Sequence, residues 1–513
     1  MSLASRDPPT EHIQNSHFAD RLVWAARRLV TRSSEGTIAL SALVAFISVW
    51  MLFWTVSTAS VDIHTDADEA LGWARHFAFG YKHPPMTGWL FALWFAVFPR
   101  QQWAVHLLNV TSLAVALGVT WRLLRDHLDK NRALLGLFAL LLIPLYDVKA
   151  EVLNANTVMI PFWAATLLFY LRARRGLGTF DAFCAGAFAS FTVLGKYWAV
   201  FLLAGMAVAS MMGPGRRRFW RSPAPYVMTA GAALVIAPHV WWLMSDRGGA
   251  SIQFAESVIS HASFGTALTN SAYYILGAVA YIAGPLIFLV ALRPSRVTLV
   301  DIVCPAEEHR RQALVLLLVP LVLPALVNLV IPYRLTPDWT FPNWALLPIV
   351  LYASRYLIVD EAVVARAGLF VLAATLIVLV ASPVIACVRL ANDGQDQYRR
   401  YFQQVAELAD GLAGKPTQLY WGSGEITPGL PFYLPEARPI NADPMSAEGR
   451  AASSVHGLLV VCLSGDAPCL KTSEALANAG THTATVALTR RLLGFSSPPL
   501  RLQITVMAPA QMP

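Results

Sequence analysis

The chain has 513 residues, 56% of them hydrophobic and 14% charged, with a mean hydropathy of +0.51. A soluble chain carries about 25% charge, so most of this one belongs in lipid. The net charge of +8 does not indicate nucleic acid, because the arginines stand in short clusters between apolar runs, as the positive-inside rule expects. The five cysteines show no metal-ligand spacing such as paired C-x-x-C, and no metal or cofactor is expected.

Residues 1–36 are polar, with Arg21, Arg27, Arg28 and Arg32 interleaved with Phe18, Leu22, Val23, Trp24, Leu29 and Val30. That pattern predicts an amphipathic segment along the cytoplasmic interface. Apolar segments then recur at 37–60, 102–121, 133–147, 157–171, 179–195, 197–213, 225–243, 267–292, 312–331, 340–354 and 363–388. They make about eleven transmembrane helices, several shorter than the usual ~20 residues. Threaded with the N-terminus inside, Arg122/Arg125/Lys130/Arg132, Arg172/Arg174/Arg175, Arg216/Arg217/Arg218/Arg221 and Arg293/Arg296/Arg310/Arg311 all fall in the cytoplasm. The opposite face receives only scattered cations, among them Arg75, Lys82, Lys149, Lys196, Arg247 and Arg334. Met86–Phe98 is too short to span and reads as a re-entrant or interfacial helix; counting it as a span would turn the arginine clusters outward.

Residues 37–389 therefore form the transmembrane region, with 61–101 as its first external loop. Residues 390–513 contain no spanning run and read as a small external α/β domain. Tyr398, Tyr401, Phe402, Val405, Leu408, Ala409 and Leu412 repeat at helical spacing up to Gly411 and Gly414. Strands are expected at Gln418–Trp421, Leu458–Leu463, Thr483–Leu488 and Leu502–Met507. Outside the cytoplasm Cys462 and Cys469 form either a short-range disulfide or two buried thiols.

The chemistry concentrates at Asp62–Leu90, where Asp62, His64, Asp66, Asp68 and Glu69 stand beside a span. Charge beside lipid is costly to desolvate and marks a functional site. Asp66-x-x-Glu69 puts two carboxylates on one helix face, continued by Trp73 and His76. The same residues also satisfy a capping box, as does Thr65-x-x-Asp68. In Gly80-Tyr81-Lys82-His83-Pro84-Pro85 the prolines fix a rigid corner that presents Lys82 and His83. Lys196, between two apolar runs, is a helix-end snorkel or a ligand for lipid phosphate. Arg334 in IPYRLTPDW can clamp phosphate oxygens bidentately. Lys149 and Glu151 read as a mutual pair, His239 as a loop or helix-end residue, and Arg247 and Glu256 as part of a covering loop.

Together DADEA, GYKHPP, NANTVMIPFWA and LGKYWA resemble the GT-C superfamily of membrane glycosyltransferases. The similarity is to its protein O-mannosyltransferase and lipid A aminoarabinose transferase branch (family 39/83-like), and it runs from residue 37 to about 360. It implies a polyprenyl-phosphate sugar as donor, no cofactor, and a catalytic acid in the first external loop. That role falls on Asp66, with Glu69 next in rank. The resemblance places Lys82 or His83, together with Lys196, near the donor phosphate. The implied protein is a multi-pass enzyme of the bacterial inner membrane, working on the periplasmic face among membrane lipids. Its acceptor is an envelope component: lipopolysaccharide or lipid A, another glycan, or a protein. The alternative is a transporter or flippase of a lipid-linked substrate, which would ordinarily carry internal repeats that this chain lacks.

Overall fold

The computed structural model describes residues 18–509 except 75–76, 393–400, 414–416, 441 and 478–480, and gives backbone alone at Asp68, Asp246 and Ala413. Arg75, His76, Tyr398 and Gly414 therefore lie outside the described residues.

Among the described residues, five helices are long and apolar enough to cross a membrane: Glu35–Ser57, Gln102–Arg125, Ala224–Leu243, Glu308–Val330 and Glu361–Ala391. The pair Phe264–Tyr281 and Ala283–Ala291 passes the same test together but is bent by 53°, as a broken span or a re-entrant loop would be. Pro285 causes the break, since it has no N–H to give the carbonyl of Tyr281. The other expected spans are shorter, broken or flanked by charge, among them Lys130–Leu140, Ala155–Gly176, Thr179–Gly195 and Tyr197–Ser210. Segment 340–354 is wound differently from the expected span: a 3₁₀ helix over Pro337–Leu346 leads into a six-residue α-helix, Leu347–Tyr352. Pro337, Pro342 and Pro348 remove backbone donors there, and most of the segment is buried in the core. The protein is a multi-pass membrane protein.

Lipid gives helices no hydrophobic reason to associate, so close backbone contact does the work. Helices Thr179–Gly195 and Ala224–Leu243 meet at Gly186, where any Cβ would overlap the Met228 carbonyl. The core of the bundle buries Trp54, Trp163, Trp344, Tyr170 and Tyr352.

The arginine clusters gather at one end. Arg172 reaches Asp126 at 2.6 Å, Arg125 reaches Glu35 at 2.5 Å and Arg310 reaches Asp301 at 2.6 Å. The amphipathic helix Phe18–Arg32 joins them, with Lys130 donating to the Val30 carbonyl at 2.7 Å. Helix Met86–Phe95 has ten residues, so its axis covers about 15 Å, half of a ~30 Å hydrocarbon core.

The C-terminal region is a five-stranded sheet in the order Arg438–Pro439, Leu419–Gly422, Leu458–Leu463, Leu500–Met507, Thr481–Leu488. The first three strands are parallel and the last two join antiparallel. Strand Leu458–Leu463 is buried along nearly its whole length, as expected of a central strand covered on both faces. Cys462 and Cys469 form a disulfide, with Cα atoms 5.4 Å apart.

Candidate active site

Helix Thr65–Ala74 follows the first span and presents two faces. Ile63, Ala67, Ala70 and Leu71 are buried, while Asp66, Glu69 and Trp73 line a cavity of about 1290 Å³. Asp66 sits inside the first turn, not at the cap. Its backbone N–H donates to His64 Nδ1 at 3.1 Å, and its carboxylate accepts from the Asn154 amide at 3.0 Å. Asn154 is itself fixed as the N-cap of helix Ala155–Gly176, in a capping box with Thr157. The Asp66 side chain stays 41% exposed toward the cavity.

The Gly80–Pro85 corner forms the adjoining wall. Tyr81 N–H donates to the His83 carbonyl at 3.0 Å, and Pro85 caps helix Met86–Phe95. Gly80 has no room for a Cβ because the Trp242 indole lies against it. Lys82 Nζ donates to Glu69 Oε1 at 2.8 Å and lies over the Phe254 ring at 4.7 Å. His83 packs edge-on to Phe254 at 4.6 Å and to Trp73 at 5.4 Å. Phe254 belongs to helix Gly249–Val258. Ser251 of that helix donates to the Tyr81 carbonyl, and Arg334 N–H donates to the Val258 carbonyl at 3.2 Å. This covering helix thereby joins the corner to the strand-like stretch at Tyr333-Arg334.

Lys196 stands in the break between helix Thr179–Gly195 and the 3₁₀ turn Tyr197–Ala199. Its ammonium donates to Asn156 Oδ1 at 2.8 Å and faces the Trp339 ring at 4.2 Å. Burial pushes it down to about 7, against the pull of Asp66. His83 is pushed down to about 4 by burial and then by the neighbouring Lys196 and Lys82. It is therefore neutral near pH 7, a hydrogen-bonding group and not a cation. His64 is likewise lowered, mainly by burial.

All six residues singled out from the sequence (Asp66, Glu69, Lys82, His83, Lys196 and Arg334) line this one cavity. Four further ionic groups there, Lys149, Glu151, Asp338 and Arg389, were missed or misassigned. Lys149 and Glu151 do not pair with each other, because the 3₁₀ turn Lys149–Glu151 sends residues two apart to different sides. Lys149 donates to Asp338 at 2.9 Å, and Glu151 accepts from Arg389 at 2.9 Å and from Ser57 at 3.2 Å. His239 bonds Tyr197 at 3.0 Å, beside the cavity wall. Asn154, Asn156 and Phe254 carry no charge or periodic signal; the first two stand in the NANTVMIPFWA stretch, and the N-cap pattern Asn-x-x-Thr before an apolar run marks Asn154.

The arrangement leaves a specific charge pattern. Lys82, Lys149 and Arg389 each meet a carboxylate. Among the described residues Lys196 and Arg334 have no ion pair within 4.0 Å, and the Asp66 carboxylate accepts from the neutral Asn154 amide, with His64 Nδ1 3.9 Å away. Two cations and one available carboxylate around a cavity suit the departure of an anion and the uptake of a proton.

Residues 82–242 match the family of dolichyl-phosphate-mannose-protein mannosyltransferases. That segment holds Lys82, His83 and Lys196 and begins after Asp66 and Glu69. Among curated proteins no relative matches the sequence. The fold is that of the crystal structure of ArnT from Cupriavidus metallidurans bound to undecaprenyl phosphate. The TM-score is 0.59 at 14% identity over 92% of this chain and 98% of that one. The apo structure of the same protein gives a TM-score of 0.57 at 15% identity, over 91% and 98%. A transporter is not favoured by either likeness. The chain has the fold of these ArnT structures, and its segment 82–242 is similar to the dolichyl-phosphate-mannose-protein mannosyltransferases.

Proposed function

We propose that the protein moves a sugar from a polyprenyl-phosphate donor to an acceptor of the bacterial envelope, a lipopolysaccharide or lipid A, another glycan, or a protein. The ArnT relative of the same fold holds undecaprenyl phosphate, which supports this donor class. Asp66 takes the proton of the acceptor hydroxyl, and its Asn154 contact keeps one oxygen aimed while the other accepts. The acceptor oxygen bonds the anomeric carbon as the bond from that carbon to the phosphate oxygen breaks, inverting the centre. Lys196, Arg334 and Lys82 hold the departing phosphate, with His83 as a neutral donor beside them. Glu69 keeps Lys82 in place and is the second-ranked base. No metal or cofactor enters this scheme. The active site and the C-terminal domain face the periplasm, which agrees with the Cys462–Cys469 disulfide.

The observation that carries this reading is that the acid, the unpaired cations and the aromatic walls share one cavity. To test it, envelope glycolipids, glycans and proteins are compared by mass spectrometry in cells carrying wild type or Asp66→Asn. A modified species that falls by about 100-fold or more in the variant is expected, the scale of losing a positioned base. Wild-type levels in a correctly inserted Asp66→Asn protein would remove Asp66 as the base.

A further inference from the structure

We propose that the C-terminal sheet domain is a positioning element of the active site, acting through an ion pair between Asp62 and Arg490 that sets the helix carrying Asp66. Asp62 is 2% exposed and lies four residues before Asp66, where the first external loop begins. Its Oδ1 accepts from Arg490 Nη2 at 2.7 Å and from the Tyr433 hydroxyl at 3.3 Å. Both partners belong to the C-terminal region. Arg490 is itself anchored, its N–H donating to Ser497 Oγ at 3.0 Å, while the Tyr401 hydroxyl meets the same Ser497 at 2.6 Å.

The apolar packing follows the same line. The buried face of helix Thr65–Ala74 does not form a core with the bundle alone. Ile63, Ala67 and Leu71 share one hydrophobic cluster with Phe402, Leu430 and Phe432 of the C-terminal region. Phe432 also meets Phe95 edge-on at 5.5 Å, so the re-entrant helix is held by the same domain. One face of the short acidic helix thus lies against the domain while the other carries Asp66 and Glu69 into the cavity. An isolated helix of ten residues is marginal in water. Its direction is therefore set by what it packs on, and much of that surface is the C-terminal domain. Asp62 and Arg490 touch neither the cavity nor any substrate held in it; they act through the helix.

The consequence for catalysis rests on Asp66 being the base, but the positioning itself can be read without activity. Full-length wild type, Arg490→Gln, Arg490→Lys, Tyr433→Phe and the double variant Asp62→Asn/Arg490→Gln are compared in detergent by amide hydrogen exchange. Undecaprenyl-phosphate affinity and the Asp66-dependent envelope product are measured beside it. Arg490→Gln is expected to speed exchange in residues 65–74 at least tenfold and leave the span Glu35–Ser57 unchanged. The same variant should lower the product about tenfold and hold undecaprenyl-phosphate affinity within threefold. Arg490→Lys should recover most of both effects, and Tyr433→Phe should show a smaller version of each. If Arg490→Gln aggregates, the double variant, which buries no lone charge, gives the same readout. Unchanged protection of residues 65–74 in the folded variants overturns the proposal, as does loosening that is equal throughout the bundle. Loosening of residues 65–74 with no Asp66-dependent product even in wild type would instead sink the proposed reaction and leave the positioning intact.

Discussion

Lys196 is the residue whose chemistry is most tightly set by its surroundings. Burial moves its ammonium down to about 7, and Asp66 opposes that shift only in part. The sign for binding follows directly. The charged form exists below about 7, so raising the pH above that value removes the cation while a phosphate monoester, with its second ionisation near 6, stays dianionic. Undecaprenyl-phosphate affinity of the wild type should therefore weaken between pH 7.5 and 9.5, approaching tenfold per unit if only the ammonium binds. Lys196→Arg keeps its charge throughout this range and should show a flat profile. Equal slopes in the two proteins, measured by equilibrium binding, would take Lys196 out of the phosphate site. At this scale the sequence was informative wherever a charge sat against an apolar run, because desolvation makes such a charge conspicuous. It marked Asn154 and Asn156 only through the NANTVMIPFWA resemblance and gave them no role, since they are neutral amides whose importance comes from what they aim at. It misled at Lys149 and Glu151, since nearness in sequence does not predict pairing across a 3₁₀ turn.

At the scale of elements, helix Gly249–Val258 ties the Lys82–His83 corner to the Tyr333-Arg334 stretch. Phe254 lies under Lys82 and against His83, and Ser251 bonds the Lys82 carbonyl at 3.4 Å. A partly exposed cation over an aromatic ring is worth about 0.5–1 kcal/mol. Phe254→Ala should therefore weaken undecaprenyl-phosphate binding roughly two- to fivefold, by freeing Lys82, while the protein still inserts and folds. Phe254→Tyr keeps the ring and should behave as wild type; titration of the purified variants tests both. A loss as large in Phe254→Tyr as in Phe254→Ala would mean that the ring face is not what matters. The expected strands of the C-terminal region match observed ones within a residue or two, because alternation and turn residues mark them locally. The edge strand Arg438–Pro439 was not read, being two residues long. Segment 340–354 deceived for the opposite reason. Its composition is that of a span, but Pro337 and Pro342 wind its first half into a 3₁₀ helix whose fate is decided by the core around it.

For the whole molecule, one helix relates the two ends. Glu35 at the start of the first span pairs with Arg125 in the arginine clusters. Ser57 at its end donates to Glu151, which holds Arg389 beside the cavity. The 23 residues between these ends cover about 34 Å, slightly more than the ~30 Å hydrocarbon core. Cavity and arginine clusters therefore stand at opposite ends of this span, and on the proposed reading the positive-inside rule puts the arginine end in the cytoplasm. Free cysteines make this measurable. Cys304 is exposed at the arginine end, directly after helix Arg296–Val303. Ser454 is exposed on helix Ala447–His456 of the C-terminal region. In spheroplasts a membrane-impermeant maleimide should label Ser454→Cys at once and reach Cys304 only after permeabilisation, with Cys184 and Cys387 replaced by serine to clear the background. The reverse order would place cavity and sheet domain in the cytoplasm. A disulfide such as Cys462–Cys469 is not ordinarily maintained there, and an acceptor in the outer envelope could not reach Asp66. The labelling order thus decides together the side of the membrane, the redox setting of the domain and, for the proposed reaction, the class of acceptor within reach of the cavity.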